Sequence, residues 1–389
     1  MLNKKTFLSS LLFSGVFLVG CTEALSIPTV SVRSDGNTLA FLTQSDTENT
    51  LSLQTLNIAD GVAQPVAESA NFQGAFDWND ATQTLVYAEF ADSNAASIQV
   101  ADLETGEVER LLTLEPNLWV NQLSISPDGQ IIALSGNYIS LWATPADLLD
   151  PTVDVEALSG LIMVVNAEDG NVIHVIAERT GDTPSLAWNP SSTRLAYAFD
   201  GKTFVYDTAS NSVAEVNWLE DQLLRSPSWL DDDTIVMVSA IEEENGGTTQ
   251  PEIMLFDVSN SASRSWTTNN GVVMVSASPD GSQIAYVEGQ SSPDPNAQDQ
   301  GYASATTSVI VIDVATDERQ VVFTGQSIDK PVWSPDGQTL YLTNGNVFSM
   351  FAGNARQLYA VNVATGETTL LFEGNLATSS LIPWAPPEE

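Results

Sequence analysis

Short apolar runs alternate with turn-forming clusters along most of the chain, and the runs are rich in Val, Ile, Leu, Tyr and Trp. Runs of this length and composition, punctuated by Gly, Pro, Asn and Asp, predict strands rather than helices. One stretch recurs as an apolar or Trp residue, a Ser-Pro-Asp-Gly-like turn, two polar positions and an apolar-Ala-Tyr end. It spans Val32 to Phe41, Trp78 to Tyr87, Ile125 to Leu134, Trp188 to Tyr197, Trp229 to Met237, Ala277 to Tyr286 and Trp333 to Leu342. The copies recur roughly every fifty residues, a period that signals a repeat architecture. A second piece follows each copy, as in Ile98 to Gly106, Val309 to Asp317 and Leu358 to Gly366, with corresponding runs beginning near Leu51, Leu161, Phe204 and Ile253. Each second piece is an apolar run, an Asx/Thr/Gly turn and another apolar run. The unit is therefore four short antiparallel strands, with Pro-Asp-Gly turning the first pair and Thr-Gly or Ser-Asn the last. Seven such units predict an all-β, seven-bladed β-propeller over residues 27–386. The C-terminal Leu381-Ile-Pro-Trp-Ala-Pro386 copies a first strand once more, and is expected to pair near residues 27–33 where the ring closes.

The Trp-Ser-Pro-Asp-Gly core followed by Ile-Ala-Tyr resembles the WD40-like PD40 repeat of TolB-like propellers, over roughly residues 27–374. The Gly-His and Trp-Asp marks of WD40 repeats are absent. The resemblance implies a propeller that binds other components of the bacterial cell envelope. Trp78, Trp188, Trp229 and Trp333 share one repeat position and are expected to fill the core between blades.

The repeat is broken only at its second turns. Long inserts lie at Ser135–Gly160, Glu242–Pro251, Gly289–Thr307 and Thr343–Arg356, whereas blade four turns minimally through Asp200-Gly201-Lys202. Second turns and inter-blade links share one face of an up-and-down propeller, so that face is elaborated and the other is tight. Loops added to a rigid scaffold usually carry function. The inserts and their surroundings bring Trp119, Tyr138, Trp142, Tyr302, Phe348, Met350, Phe351 and Arg356 to this face, and aromatics beside an Arg are the makings of a recognition patch. The expected function is a binding scaffold for an envelope protein or glycan. The alternative is a module that binds or processes a carbohydrate or peptide held in the central channel.

Composition narrows the partners. The chain holds 50 Asp+Glu against 12 Lys+Arg, a formal charge of −38. Such a body repels phosphates, so no nucleic-acid partner is expected. One Cys and one His leave no material for a thiolate cluster or a multi-imidazole metal site. His174 stands mid-strand and is expected to pack there. No Gly-x-Ser-x-Gly elbow occurs, and the Asp-rich turns do not match a calcium loop. No catalytic residue, metal or cofactor is expected, and the chain is read as a non-enzyme. Residues 1–20 have the layout of a signal peptide: Lys4 and Lys5, then an apolar stretch too short to span a bilayer. The following Leu18-Val19-Gly20-Cys21 resembles the lipobox of bacterial lipoproteins, which implies cleavage before Cys21 and its lipidation. Residues 21–26 would then be a tether on the extracytoplasmic side, with Thr22 favouring the outer membrane of a two-membrane cell.

Overall fold

The computed structural model describes residues 30–32, 37–44, 51–69, 72–79, 82–90, 95–102, 105–116, 118–138, 160–178, 185–199, 201–216, 222–241, 249–268, 271–289, 306–326, 328–344, 356–374 and 376. Residues 1–20, expected as a signal peptide, residues 21–26, expected as a lipidated tether, and the C-terminal 381–386 lie outside these. Among the described residues no helix is long and apolar enough to cross a membrane.

Seven antiparallel four-stranded sheets follow one another in chain order. Blade one comprises β1 (Val30–Val32), β2 (Thr38–Gln44), β3 (Leu51–Asn57) and β4 (Val62–Ser69). Blade two comprises β5 (Phe72–Asn79), β6 (Thr84–Phe90), β7 (Ala95–Asp102) and β8 (Val108–Pro116). Blade three is β9 (Leu118–Ile125), β10 (Ile131–Tyr138), β11 (Gly160–Asn166) and β12 (Val172–Glu178). Blade four is β13 (Ser185–Trp188), β14 (Arg194–Phe199), β15 (Lys202–Asp207) and β16 (Ser212–Glu215). Blade five holds β17 (Gln222–Trp229), β18 (Thr234–Ile241), β19 (Glu252–Asp257) and β20 (Ser263–Trp266). Blade six holds β21 (Gly271–Ala277), β22 (Gln283–Gly289), β23 (Thr306–Asp313) and β24 (Arg319–Gln326). Blade seven holds β25 (Val332–Trp333), β26 (Thr339–Asn344), β27 (Arg356–Asn362) and β28 (Thr368–Gly374). The first strands contact one another in order, and β25 returns to β1, so they ring a common axis.

The Ser-Pro-Asp-Gly sequence is a self-satisfying first turn. Ser278 Oγ donates to Asp280 Oδ1 at 2.7 Å and accepts from the Gln283 N–H at 2.9 Å. Ser126 with Asp128 and Ser334 with Asp336 repeat this at 2.6 Å. The hydroxyl bonds hold the Asp280 and Asp336 carboxyls below the usual carboxylate range. Gly281 sits at φ 69°, and a Cβ there would lie 2.3 Å from the Leu230 carbonyl oxygen of the preceding blade. Glycine is needed for both reasons. Asp also anchors third turns: Asp313 Oδ1 accepts from the N–H groups of Ala315 and Thr316.

Second and third strands are buried on both faces, because each blade packs against two neighbours. In β2, Leu39 and Phe41 face blade seven while Ala40 and Leu42 face blade two. The core is accordingly seven clusters, one per blade junction, including one between blades seven and one. The Trp residues sit in these junctions as expected. Three of their indole N–H groups also tie a blade to the one before: Trp188 to the Ser124 carbonyl at 3.0 Å, Trp229 to that of Ala187 at 2.9 Å, and Trp333 to that of Ser276 at 3.0 Å. His174 packs as expected, its ring stacked on Tyr206 at 5.6 Å and 8°.

Ring closure uses a repeated device at an unforeseen position. After a blade's fourth strand, the chain sets one buried apolar residue onto the far end of the next second strand. Phe72 opposes Glu89, Val120 opposes Gly136, Leu224 opposes Ser239, Val272 opposes Glu288 and Ile328 opposes Asn344. Leu376 does the same for blade one, opposing Thr43; the expected pairing of 381–386 near residues 27–33 lies outside the described residues. Leu376 is buried with Leu39, Phe41, Tyr341 and Leu358. Leu376→Ala is expected to lose about 2–4 kcal/mol in urea unfolding, the cost of a core cavity. Leu370→Ala, on the outer strand of blade seven and 47% exposed, is expected to lose under about 0.5 kcal/mol.

Candidate functional site

The long connections, residues 139–159, 242–251, 290–305 and 345–355, all join a second strand to a third. They therefore leave the ring on the face where the inter-blade links arrive and the first strands begin. At that end the first strands depart from regular pairing. Register shifts interrupt β5 between Phe72 and Phe76, β9 opposite Ser135 and Gly136, β17 between Arg225 and Ser228, and β21 between Val272 and Met274. In blade seven Asp329–Pro331 stand free of the ladder, between the Ile328–Asn344 bridge and β25. A bulge adds a residue on one strand only, and bulges commonly re-aim side chains beside functional sites. Each lies towards the end of its first strand nearest the incoming inter-blade link. In blade three the bulge depends on Gly136, where a Cβ would come within 2.5 Å of the Trp119 carbonyl oxygen.

Many polar groups of the first strands are spent on holding these strands in place. Gln122 mimics a β-bridge to the next blade, its amide accepting from the Leu186 N–H at 2.9 Å and donating to the Leu186 carbonyl at 3.2 Å. Asp77 Oδ2 accepts from the Ile125 N–H at 2.8 Å, and Ser228 Oγ from the Ala277 N–H at 3.1 Å. Thr343 Oγ1 donates to Asp329 Oδ2 at 2.6 Å. Against this background, the buried side-chain atoms without a hydrogen-bond partner among the described residues include the Asn121 amide nitrogen and the Ser226 hydroxyl, on residues 7% and 3% exposed. Leaving a buried polar group unpaired costs about 1–3 kcal/mol. Ser226 also holds a left-handed φ of 53°. Lys330 occupies the same place in blade seven as Ser226 in blade five, each followed by Pro and then, two residues later, by Trp. Protein crowds its amine, whose pKa burial pushes down to about 8, yet part of its surface stays open.

Of the residues expected at the recognition face, Trp119 opens β9, Tyr138 ends β10 and Arg356 opens β27, all at the insertion-bearing end of their strands. Trp119 and Tyr138 are close neighbours in the β9–β10 pair. The Trp119 ring is half-buried and packs edge-on against Phe90 at 5.5 Å. Trp142, Tyr302, Phe348, Met350 and Phe351 lie outside the described residues. Asn121, Ser226 and Lys330 were not singled out from sequence. The signal was there in Pro227 and Pro331, since proline inside a strand marks an edge or a bulge. On the opposite, tight-turn face a cleft of about 640 Å³ lies between blades six and seven, lined by Gln283, Asp313, Glu318, Arg319, Gln338 and Asn362. Its Asp313 and Asn362 side chains are already bound into their own turns. Among the described residues no group of three or more His, Cys, Asp or Glu is placed to hold a metal ion.

No protein-family model matches the chain. A meiotic recombination protein, rec14 of Schizosaccharomyces pombe, is 31% identical over 108 residues, 22% of this chain and 36% of that protein. The chain thus spans about a third of the length of the curated relative it matches. Among solved structures, an oligogalacturonate lyase in complex with manganese superposes with a TM-score of 0.64 at 15% identity, covering 87% of this chain and 92% of that one. The β-propeller domain of the Trilobed protease from Pyrococcus furiosus superposes at 0.60 and 12% identity, covering 89% and 97%. TolB from Acinetobacter baumannii gives 0.46 at 16% identity, covering 87% and 80%, too loose a fit to carry an argument. The protein is a seven-bladed β-propeller.

These likenesses correct the expectation of a non-enzyme. The fold read from the repeat as a bare scaffold is equally the fold of a lyase and of a protease domain. That expectation rested on missing local motifs, whereas a ring of first strands can assemble a site from several blades with no motif in any one of them.

The buried lysine makes stability depend on pH. Its folded pKa of about 8 lies below its ordinary 10.5, so the unfolded chain binds the proton more tightly in between. Below pH 8 both states are charged and the folded chain bears the whole penalty, which fades as pH rises from 8 towards 10.5. Lys330→Met is therefore expected to be more stable than the wild type by about 1–3 kcal/mol at pH 7. In urea unfolding across pH, that gap should close near pH 10.5.

Proposed function

We propose that this protein is a lipid-anchored lipoprotein of the bacterial cell envelope that binds a protein or glycan through the insertion-bearing face and the axial mouth at its centre. The observation carrying this reading is the coincidence of two features at one end of the ring. All the long second-to-third-strand connections leave there, and there the first strands bulge around buried donors without partners. The opposite face is made of short turns whose Asp, Asn and Ser side chains are engaged with their own backbone. The anchoring half of the reading rests on Lys4, Lys5, the apolar stretch and Cys21, and the envelope setting on the TolB-like repeat. The acid excess of the body accords with a partner that is not a polyanion.

The two halves separate experimentally. Cys21→Ala is expected to move the protein from the membrane fraction to the soluble fraction of the extracytoplasmic space; retention in the membrane would count against lipidation. A pull-down from native envelopes with the full chain is expected to lose its partners when residues 290–305 and 345–355 are both shortened. Unchanged partners after both deletions would refute the face assignment.

A further inference from the structure

We infer that the ring stands with its insertion-bearing face turned to the membrane and its tight-turn face turned outward, so that the partner it holds is a protein embedded in or anchored to the same membrane. This rests on the lipid-anchored reading above and deepens it by naming the side from which the partner comes.

Reach sets the orientation first. β1 runs from the insertion-bearing end towards its tight turn, so the chain preceding it comes in from the insertion-bearing side. Val30, its first residue, is the ninth after Cys21, and a chain of that length spans at most about 32 Å when fully extended. Val30 opposes Phe41, three residues short of the end of β2 at Gln44, which places it about 10 Å below the insertion-bearing rim. A path round the outside to the tight-turn face would climb to that rim and cross the strand spacings of a four-stranded blade, about 14 Å. It would then descend the length of a second strand, about 24 Å. The whole path is about 48 Å, half as long again as the tether allows. Acyl chains on Cys21 therefore enter the bilayer on the insertion-bearing side, with at most about 20 Å of tether between that rim and the headgroups.

Charge selects the same orientation independently. Every blade places a carboxylate in or beside its first or third turn, on the tight-turn face: Asp60, Glu107, Asp128, Asp207, Asp257, Asp313 and Asp336. Hydroxyl and backbone N–H donors hold the Asp207, Asp257, Asp313 and Asp336 carboxyls below the usual range, so this face stays negative even in mild acid. Of the arginines there, Arg194 and Arg264 are paired with Asp233 and Asp317. Anionic headgroups repel such a face over a Debye length, about 8 Å at physiological salt.

A rim held within about 20 Å of the headgroups is open to proteins that share the bilayer and closed to large assemblies in the surrounding medium. Confinement to one surface also raises the effective concentration of partner and ring, so that modest intrinsic affinity suffices. An anionic glycan layer suits the face least, because the chain carries a charge of −38.

The test uses the full lipidated chain, purified and returned to vesicles that contain a headgroup-labelled acceptor lipid. Cys21 is the only cysteine, and lipidation blocks its sulfur, so a donor dye attaches only at a cysteine introduced by substitution. Ile241→Cys and Gln250→Cys mark the insertion-bearing side, and Ala209→Cys and Ala315→Cys mark the tight turns; all four positions are exposed. Thermal unfolding serves as the fold control. Energy transfer is expected to be severalfold stronger from 241 and 250 than from 209 and 315. Equal transfer from the two faces, or stronger transfer from the turns, would overturn the orientation. Lengthening the tether by about thirty Gly and Ser residues adds roughly 30 Å of mean span. It is expected to cut in-situ crosslinking to partners in native envelopes severalfold, and unchanged crosslinking would overturn the membrane-bound partner. A wild-type chain that stays free of the vesicles would bring down the anchoring reading and the orientation together. Vesicle binding with the transfer reversed removes the orientation alone.

Discussion

An indole N–H donated from one blade to a backbone carbonyl of the blade before it is the interaction on which the rest of this ring depends. Trp188, Trp229 and Trp333 each make it, and each acceptor directly precedes the equivalent repeat position in the previous blade. The bond fixes how far successive first strands slide along the axis, which packing alone leaves softer. Apolar clusters hold blade to blade, yet their Leu, Val and Ala side chains would accept small shifts along the strands. A directional bond of about 1 kcal/mol at three of the seven junctions does not.

The bulged ends of the first strands are where stability has been given up. Elsewhere on these strands Gln122, Asp77 and Ser228 each tie one first strand to the next. Asn121 and Ser226 are buried as deeply and tie nothing, while Lys330 keeps its charge against the surrounding protein below about pH 8.

The blades were legible because each depends on local chemistry written into a few residues. Ser126, Ser278 and Ser334 close their turns with the Asp two positions on, so the Ser-Pro-Asp-Gly pattern announces a turn wherever it stands. Leu39 and Phe41 facing one way, with Ala40 and Leu42 facing the other, explains why second strands read as continuous apolar runs rather than alternating ones. Ring closure was less legible, because Leu376 acts through a partner, Thr43, from the other end of the chain. The bulged segments were least legible of all, because Asn121, Ser226 and Lys330 are unremarkable in their own repeats and their burial appears only once neighbouring blades pack. Local motifs were the wrong place to seek activity for the same reason, and the reading of a non-enzyme failed there.

Hydrogen–deuterium exchange of the full chain, with and without the partners captured from native envelopes, tests most directly the claim that the axial mouth is where this protein binds. Protection is expected in peptides covering 118–124, 222–228 and 327–333, together with the inserts at 290–305 and 345–355. Protection confined to the opposite turns, at 126–131, 278–283 and 334–339, with the mouth exchanging as before, would contradict it.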